Sequence, residues 1–466
     1  MTMSNIRGMR GFLASSIGVT CAAALVLPLA PSVAAAPMRP APTAEAATAP
    51  GERPAPGHTD SLPLTALPAT RATPTSPAAR EQGLPPRDVR RFSLVGVIWD
   101  DPDAELHGRV EVRTRATATG TWSGWQDLET HNAEHAADPG TAERTSGRVR
   151  GSTAPLWVGD SDGVEVRVRA DQAQDPFANP LPSGLRLELV NPGQEEPSRP
   201  AGRAAAPQDT PATTMTAETA AASAANAELA PLGALEIPEL TPDRTREELF
   251  ALRGAELTEE QRARPYIGPR PRIVTRRGWG ANESWREKKF VYTKKVKAAF
   301  VHHTASGNGY KCSQAPSVIR GIYRYHVKSM GWRDIGYNFV VDKCGNIYEG
   351  RAGGVAKPVL GAHTLGFNTH SMGIALLGSH ASSKPSGAAV KAVARLTAWK
   401  LGLYGANPRG KTYLKSGGGN LYAKGRNVRL NVISGHRDGF ATECPGWQMY
   451  RKLGTARSTA AELQGR

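Results

Sequence analysis

Cysteine is scarce in this 466-residue sequence, with four in all, and aromatic residues make up only 6% of it. Beyond the amino-terminal segment no apolar run approaches the length of a membrane span, which excludes a transmembrane helix. Helix-turn-helix pattern, aromatic RNA-binding strand pair and zinc-finger spacing are also missing. Nucleic acid is therefore not an expected partner, although the net charge is +16.

What is present begins with an export signal over residues 1–36: Arg7 and Arg10 are the basic end, Phe12 to Ala30 the apolar run, and Ser32 to Ala36 the small-residue cleavage zone. Lipidation at Cys21 is disfavoured, because Thr20 precedes it and it lies inside the apolar run. Export leaves Cys312, Cys344 and Cys444, an odd number for an oxidising compartment. One disulfide, Cys312 with Cys344, and one metal thiolate, Cys444, account for all three.

The texture along the chain divides it further. Residues 37–86 are rich in Ala, Pro and Thr, too poor in apolar surface to fold, and read as a disordered leader. Residues 87–192 carry short alternating runs, such as Val110, Val112 and Thr114 against Glu111, Arg113 and Arg115, or Val164, Val166 and Val168 against Glu165, Arg167 and Arg169. That period of two predicts a small all-β, sandwich-like domain. Trp122 and Trp125 within it serve either structural packing or carbohydrate stacking. Residues 193–265 read as a linker, with a short helix over Pro242 to Arg264 as one option. Residues 266–466 mix strands (Val296 to His302, Tyr337 to Asp342, Ile347 to Glu349, Val428 to Ile433) with helices (Val318 to Met330, Ala388 to Leu401). This predicts an α/β domain with a mixed β-sheet flanked by helices.

His302 ends the first of those strands, His436 follows the last, and Cys444 comes eight residues later beside Pro445. Two strand-end imidazoles and one thiolate are the donor set of a catalytic zinc site with its fourth position open. His303 follows directly, and because neighbours on a strand point to opposite faces, one of the pair takes another role.

Four segments carry a family resemblance: FVHHTA from Phe300, GWRDIGYNF from Gly331, IYEGR from Ile347 and GHRDGFATECPG from Gly435. In this order they resemble the peptidoglycan recognition protein and N-acetylmuramoyl-L-alanine amidase (type 2 amidase) family, in the texture of secreted actinobacterial members, over nearly all of Tyr266 to Leu463. The resemblance implies one zinc per chain on His302, His436 and Cys444, with Tyr337 and Thr442 as catalytic residues. It implies substrate contacts at His303, His363 and Asn368. The implied activity is hydrolysis of the amide between N-acetylmuramic acid and L-alanine in peptidoglycan, by a secreted, wall-associated monomer. Where animal members carry a Gly-Trp pair after the EGR motif, Ala352, Gly353 and Gly354 follow Arg351, which leaves stem-peptide preference open.

Alternatives remain: a peptidoglycan receptor without turnover, a zinc endopeptidase acting within the stem, or an adhesin led by the first domain. The excess of basic residues, including Arg286, Lys288, Lys289, Lys294, Lys295 and Lys297 before the catalytic strand, fits retention on anionic wall polymers or serves solubility alone.

Overall fold

The alternation in the first half folds into an antiparallel sheet. The computed structural model describes residues 57–67, 81–171, 180–193 and 215–466. The export signal, residues 37–56 and 68–80 of the leader, and residues 194–214 of the linker lie outside that range. Strands β1 (His58–Pro63), β2 (Thr65–Ala66), β3 (Glu81–Trp99), β4 (Gly108–Ala116), β5 (Gln126–Leu128), β6 (Gly151–Ser152), β7 (Leu156–Ala170) and β8 (Arg186–Asn191) form one hydrogen-bonded system. Its main path runs β1-β8-β3-β7-β4-β5. The β4/β7 register sets Val110 opposite Val168, Val112 opposite Val166 and Thr114 opposite Val164, all buried. Because side chains alternate between faces, the intervening residues meet on the outer face, where Arg113 pairs with Glu165 and Arg169 with Glu111. Trp122 and Trp125 are half-buried beneath arginines: Arg113 lies 5.3 Å from both rings and Arg167 4.1 Å from that of Trp125.

The second half opens with α1 (Ala217–Ala224), β9 (Glu236–Ile237), α2 (Pro242–Arg253), α3 (Glu259–Ala263) and β10 (Ile273–Val274). There follow β11 (Ala298–His303), α4 (Ala315–Arg324), β12 (Phe339–Val341), β13 (Ile347–Glu349) and β14 (Ser371–Leu376). The chain ends through α5 (Gly387–Gly402), β15 (Lys411–Lys415), β16 (Asn427–Asn431), β17 (Ile433–Gly435), α6 (Trp447–Tyr450) and α7 (Leu453–Leu463). The sheet order is β17-β11-β14-β12-β13-β10-β9, parallel around β11 and β14 and antiparallel at β12/β13 and β9/β10. Helix α5 is capped by Ser386, whose hydroxyl accepts from the N–H of Ala389. It buries Val390, Val393, Leu396 and Leu401 against strand residues Val301, Ile374 and Phe339. Helix α4 covers the opposite face.

Three expectations are corrected. Part of the leader is a strand: β1 sets Leu62 beside Leu187 and Thr59 beside Val190, so backbone pairing orders a segment poor in apolar residues. The domain boundary expected at 266 lies earlier, since residues from 215 onward are folded. Their few apolar side chains, Leu229, Ala230, Ile237 and Leu249, join the core beneath α5, and α2 is the short helix, capped by Thr241 with Pro242 in its first turn. The two domains are not independent bodies either. Leu94, Ile98, Val149, Trp157 and Val190 of the first share one apolar cluster with Val318, Ile322, Tyr325 and Trp332 of the second. At Gly96 a Cβ would fall 2.4 Å from the Tyr325 hydroxyl oxygen, so glycine is needed for that ring to reach the backbone oxygens of Val97 and Thr153, each 3.2 Å away.

Cys312 and Cys344 form a disulfide across a sequence separation of 32, tying the start of α4 to the β12/β13 turn. Closing such a loop restricts the unfolded chain and adds about 3 kcal/mol. Denaturant unfolding of the Cys312→Ser/Cys344→Ser protein should show a loss of about that size. An unchanged midpoint would count against it.

Candidate metal centre

Parallel pairing builds the centre. Val301 of β11 lies beside Gly435 of β17, so the next residues, His302 and His436, leave the same end of neighbouring strands. Strand ends on one edge of a parallel sheet are where side chains can converge on a ligand. Glycine at 435 leaves room for the Tyr450 ring, which a Cβ would approach to 2.8 Å. The backbone then turns back: the N–H of Arg437 donates to the carbonyl of Cys444 at 3.0 Å, returning the sulfur to His436.

His302, His436 and Cys444 are wholly buried, and their ligand atoms lie within 4.8 Å of one another together with a fourth, from His135 of the first domain. Cys444 Sγ is 3.7 Å from His302 Nδ1 and 3.5 Å from His135 Nε2. Sulfur and nitrogen on a shared tetrahedral zinc ion stand about 3.6 Å apart, from bond lengths of about 2.3 and 2.05 Å. Among the described residues neither nitrogen of His436 makes a hydrogen bond of ordinary geometry, which would be costly for a buried imidazole with nothing to bind. Burial holds His302 and His436 well below the ordinary histidine range, in the neutral, ligating form. Burial also pushes the Cys444 thiol up; a divalent cation is the charge that would favour its thiolate. The four side chains thus fit a metal ion.

The surroundings orient these donors. His363 Nδ1 lies 3.3 Å from His302 Nε2 and 3.0 Å from Thr364 Oγ1. With His302 Nδ1 turned to the centre, its Nε2–H donates to His363, an assignment that follows from the network. Asn368 Oδ1 accepts from the N–H groups of His363 and Thr364, and its Nδ2 donates to Ala136 O and Asp138 Oδ1. His363 and Asn368, expected as substrate contacts, are thus buried here, one behind His302 and the other in the turn that carries it. His303 faces away from the cluster: its Nδ1 accepts from the N–H of His380 at 3.1 Å, and its Nε2 lies 3.7 Å from Glu129.

Tyr337 is buried, its ring 5.6 Å from that of His302 and 5.8 Å from that of His135. Burial raises its phenol well above the usual range, so it stays protonated. Thr442 Oγ1 accepts from the N–H of Cys444 at 3.1 Å and donates to Glu134 Oε1 at 2.8 Å. Burial raises the Glu134 carboxyl to about 8. A hollow of about 410 Å³, lined by Glu129, His131, Arg437 and Thr442 among others, adjoins this rim.

The basic cluster lies elsewhere. Arg286 is buried and paired with Glu283, and Lys294, Lys295 and Lys297 precede β11 at the end opposite His302. They do not line the mouth of the centre. His135 was not singled out from the sequence: it stands between Glu134 and Ala136 in a stretch with no strand or helix period, and its partners are far away in the chain.

A family model described as N-acetylmuramoyl-L-alanine amidase matches residues 292–447, and one described as Rv3811 N-terminal galactose-binding domain-like matches residues 45–201. The chain is 30% identical over 186 residues to peptidoglycan-recognition protein SC2 of Drosophila melanogaster, covering 39% of this chain and 85% of that protein. It is 34% identical over 140 residues to the N-acetylmuramoyl-L-alanine amidase of Homo sapiens, covering 30% of this chain and 22% of the human protein. Among solved structures, Drosophila PGRP-LB wild-type aligns with 24% identity and a TM-score of 0.31, covering 39% of this chain and 92% of the other.

Replacing His363 with Ala removes the group behind His302. Metal affinity, measured by competition with a chelator, should fall by about 10- to 100-fold while circular dichroism stays unchanged. Equal affinity in the two proteins would contradict the orienting role.

Proposed function

The chain belongs to the peptidoglycan recognition protein and type 2 amidase family, and from that membership we propose that it is an exported, zinc-dependent N-acetylmuramoyl-L-alanine amidase. Its substrate is the amide between N-acetylmuramic acid and the first L-alanine of the peptidoglycan stem. The observation that carries this reading is the convergence of His302, His436 and Cys444, buried, with the nitrogens of His436 without an ordinary hydrogen bond among the described residues. Two imidazoles and a thiolate suit zinc, and hydrolysis needs no redox change. The retained Cys444, Tyr337 and Thr442 count against a receptor without turnover.

Zinc at this site supplies Lewis acidity toward the scissile carbonyl and toward water. The protein does the rest. His302, held through Nε2 by His363, keeps its ring fixed, so no reorganisation is needed as charge develops. The Thr442 hydroxyl already accepts the N–H of Cys444, which leaves its proton free to be donated to the oxyanion once Glu134 is no longer its acceptor. Tyr337, kept protonated by burial beside His302, is a second donor and orients the attacking water or the developing oxyanion. The net charge of +16 favours retention of a monomeric enzyme on anionic wall polymers.

The test is digestion of purified peptidoglycan with and without a chelator, followed by mass analysis of the products. Sugar-free stem peptides beginning with L-alanine are expected, and they should disappear when zinc is removed. Products cut within the stem would point to an endopeptidase instead. Tyr337→Phe should keep its zinc and lose about two to three orders of magnitude in rate, as is typical when one oxyanion donor is removed. A variant as fast as the parent would remove Tyr337 from the chemistry.

A further inference from the structure

The segment joining β5 to β6, residues 129–150, lies against the second domain at each of its acidic positions and at His135. Glu134 Oε1 accepts the Thr442 hydroxyl at 2.8 Å. The carbonyl of Glu134 accepts the N–H of Leu365, also at 2.8 Å. Asp138 Oδ1 accepts from the N–H of Gly366 at 2.8 Å and from Asn368 Nδ2 at 2.7 Å. Glu143 takes both terminal nitrogens of Arg351 at 2.9 Å, in a pair buried on both sides. Between these anchors His135 is carried inward, its ring centroid 4.6 Å from that of His436 and 5.3 Å from that of His302.

A hydrolytic centre of two histidines and a cysteine keeps its fourth position for water. His135 Nε2 stands 3.5 Å from Cys444 Sγ, the separation of two donors on one tetrahedral ion, and no water fits beside four protein ligands. We propose that His135 is the fourth zinc ligand, and that the two-domain chain is a latent form in which residues 129–150 close the centre. This rests on the amidase reading above and adds a regulator within the same chain. The segment withholds more than one requirement at once, the water position through His135 and the Thr442 proton through Glu134, while the Glu143–Arg351 pair anchors it. Withdrawal of the segment restores the three-ligand centre and frees Thr442, with no covalent change.

The experiment uses the full chain loaded with zinc, as the parent and as His135→Ala, with Glu143→Gln as a second variant that loosens the segment without touching the centre. X-ray absorption at the zinc edge counts the ligands. Three imidazoles and one sulfur are expected in the parent, and two imidazoles, one sulfur and an oxygen in His135→Ala. Peptidoglycan hydrolysis should rise about tenfold or more in His135→Ala, equivalent to a closed form favoured by about 1.4 kcal/mol. Glu143→Gln should raise it in the same direction. A parent centre with two imidazoles and an oxygen, hydrolysing as fast as the variants, overturns the closure and leaves the amidase reading intact. Absence of hydrolysis in all three proteins, with three-imidazole coordination in the parent, instead overturns the amidase reading and the latency with it.

Discussion

Because β11 and β17 run parallel with Val301 beside Gly435, two histidines far apart in sequence leave the sheet side by side, and everything chemical in the molecule depends on that register. A slip of one residue would turn His302 to the opposite face and replace it with His303. The register is held from both directions: β14 pairs with β11 over its whole length, and α5 and α7 pack on the face formed by Val301, Ile374 and Ile433. The apolar core thus fixes the spacing of donors that cannot themselves stabilise the fold. A buried neutral imidazole such as His436, with no ordinary hydrogen bond among the described residues, and a buried thiol are costs until an ion is bound.

The first domain is attached by the same kind of burial. Its Leu94, Ile98 and Val190 complete the apolar cluster around α4, and polar ties such as Ser329 to Glu188 at 2.7 Å and Arg324 to Thr59 at 2.7 Å flank it. Without the first domain, α4 would expose part of its apolar face to water. This gives the first domain a structural task whether or not it also binds a wall polymer. It also explains how a loop at the end of β5 can be aimed at the metal centre: the sheet that carries it cannot rotate away on a tether.

Much of this was legible in the sequence. Alternation at Val110 to Arg115 and Val164 to Arg169 marked two strands, the helical period marked α5, and His302, His436 and Cys444 stood out by type and position. What was not legible depended on partners distant in the chain. The central strand β14, SMGIAL, is buried on both faces, so it shows no alternation to distinguish it from the loop before it. Strand β1 is recognisable only through its pairing with β8. Residues 215–265 looked like linker because composition reports how much apolar surface a segment has, not whether a neighbouring core has a place for it. His135 left no trace at all, since a ligand delivered from another domain obeys no local spacing.

The segment bearing His135 has a composition that matches its position. Between Glu129 and Arg150 its apolar residues are alanines and one valine, so it covers the centre through ion pairs, hydrogen bonds and backbone contacts and buries little hydrophobic area. Water can replace contacts of that kind at modest cost, whereas a segment anchored by leucines or aromatic rings would lose about 1.5–3 kcal/mol for each side chain exposed. The shared core around α4, which takes in Val149 at the far end of the segment, holds the domains together, and residues 129–148 carry no apolar side chain larger than alanine apart from Pro139. Local opening is favoured in regions with few buried apolar contacts, and here that region lies directly over the donor set. The architecture therefore separates two requirements, keeping the domains docked through apolar packing and leaving the cover over His302, His436 and Cys444 to polar contacts that solvent can take over.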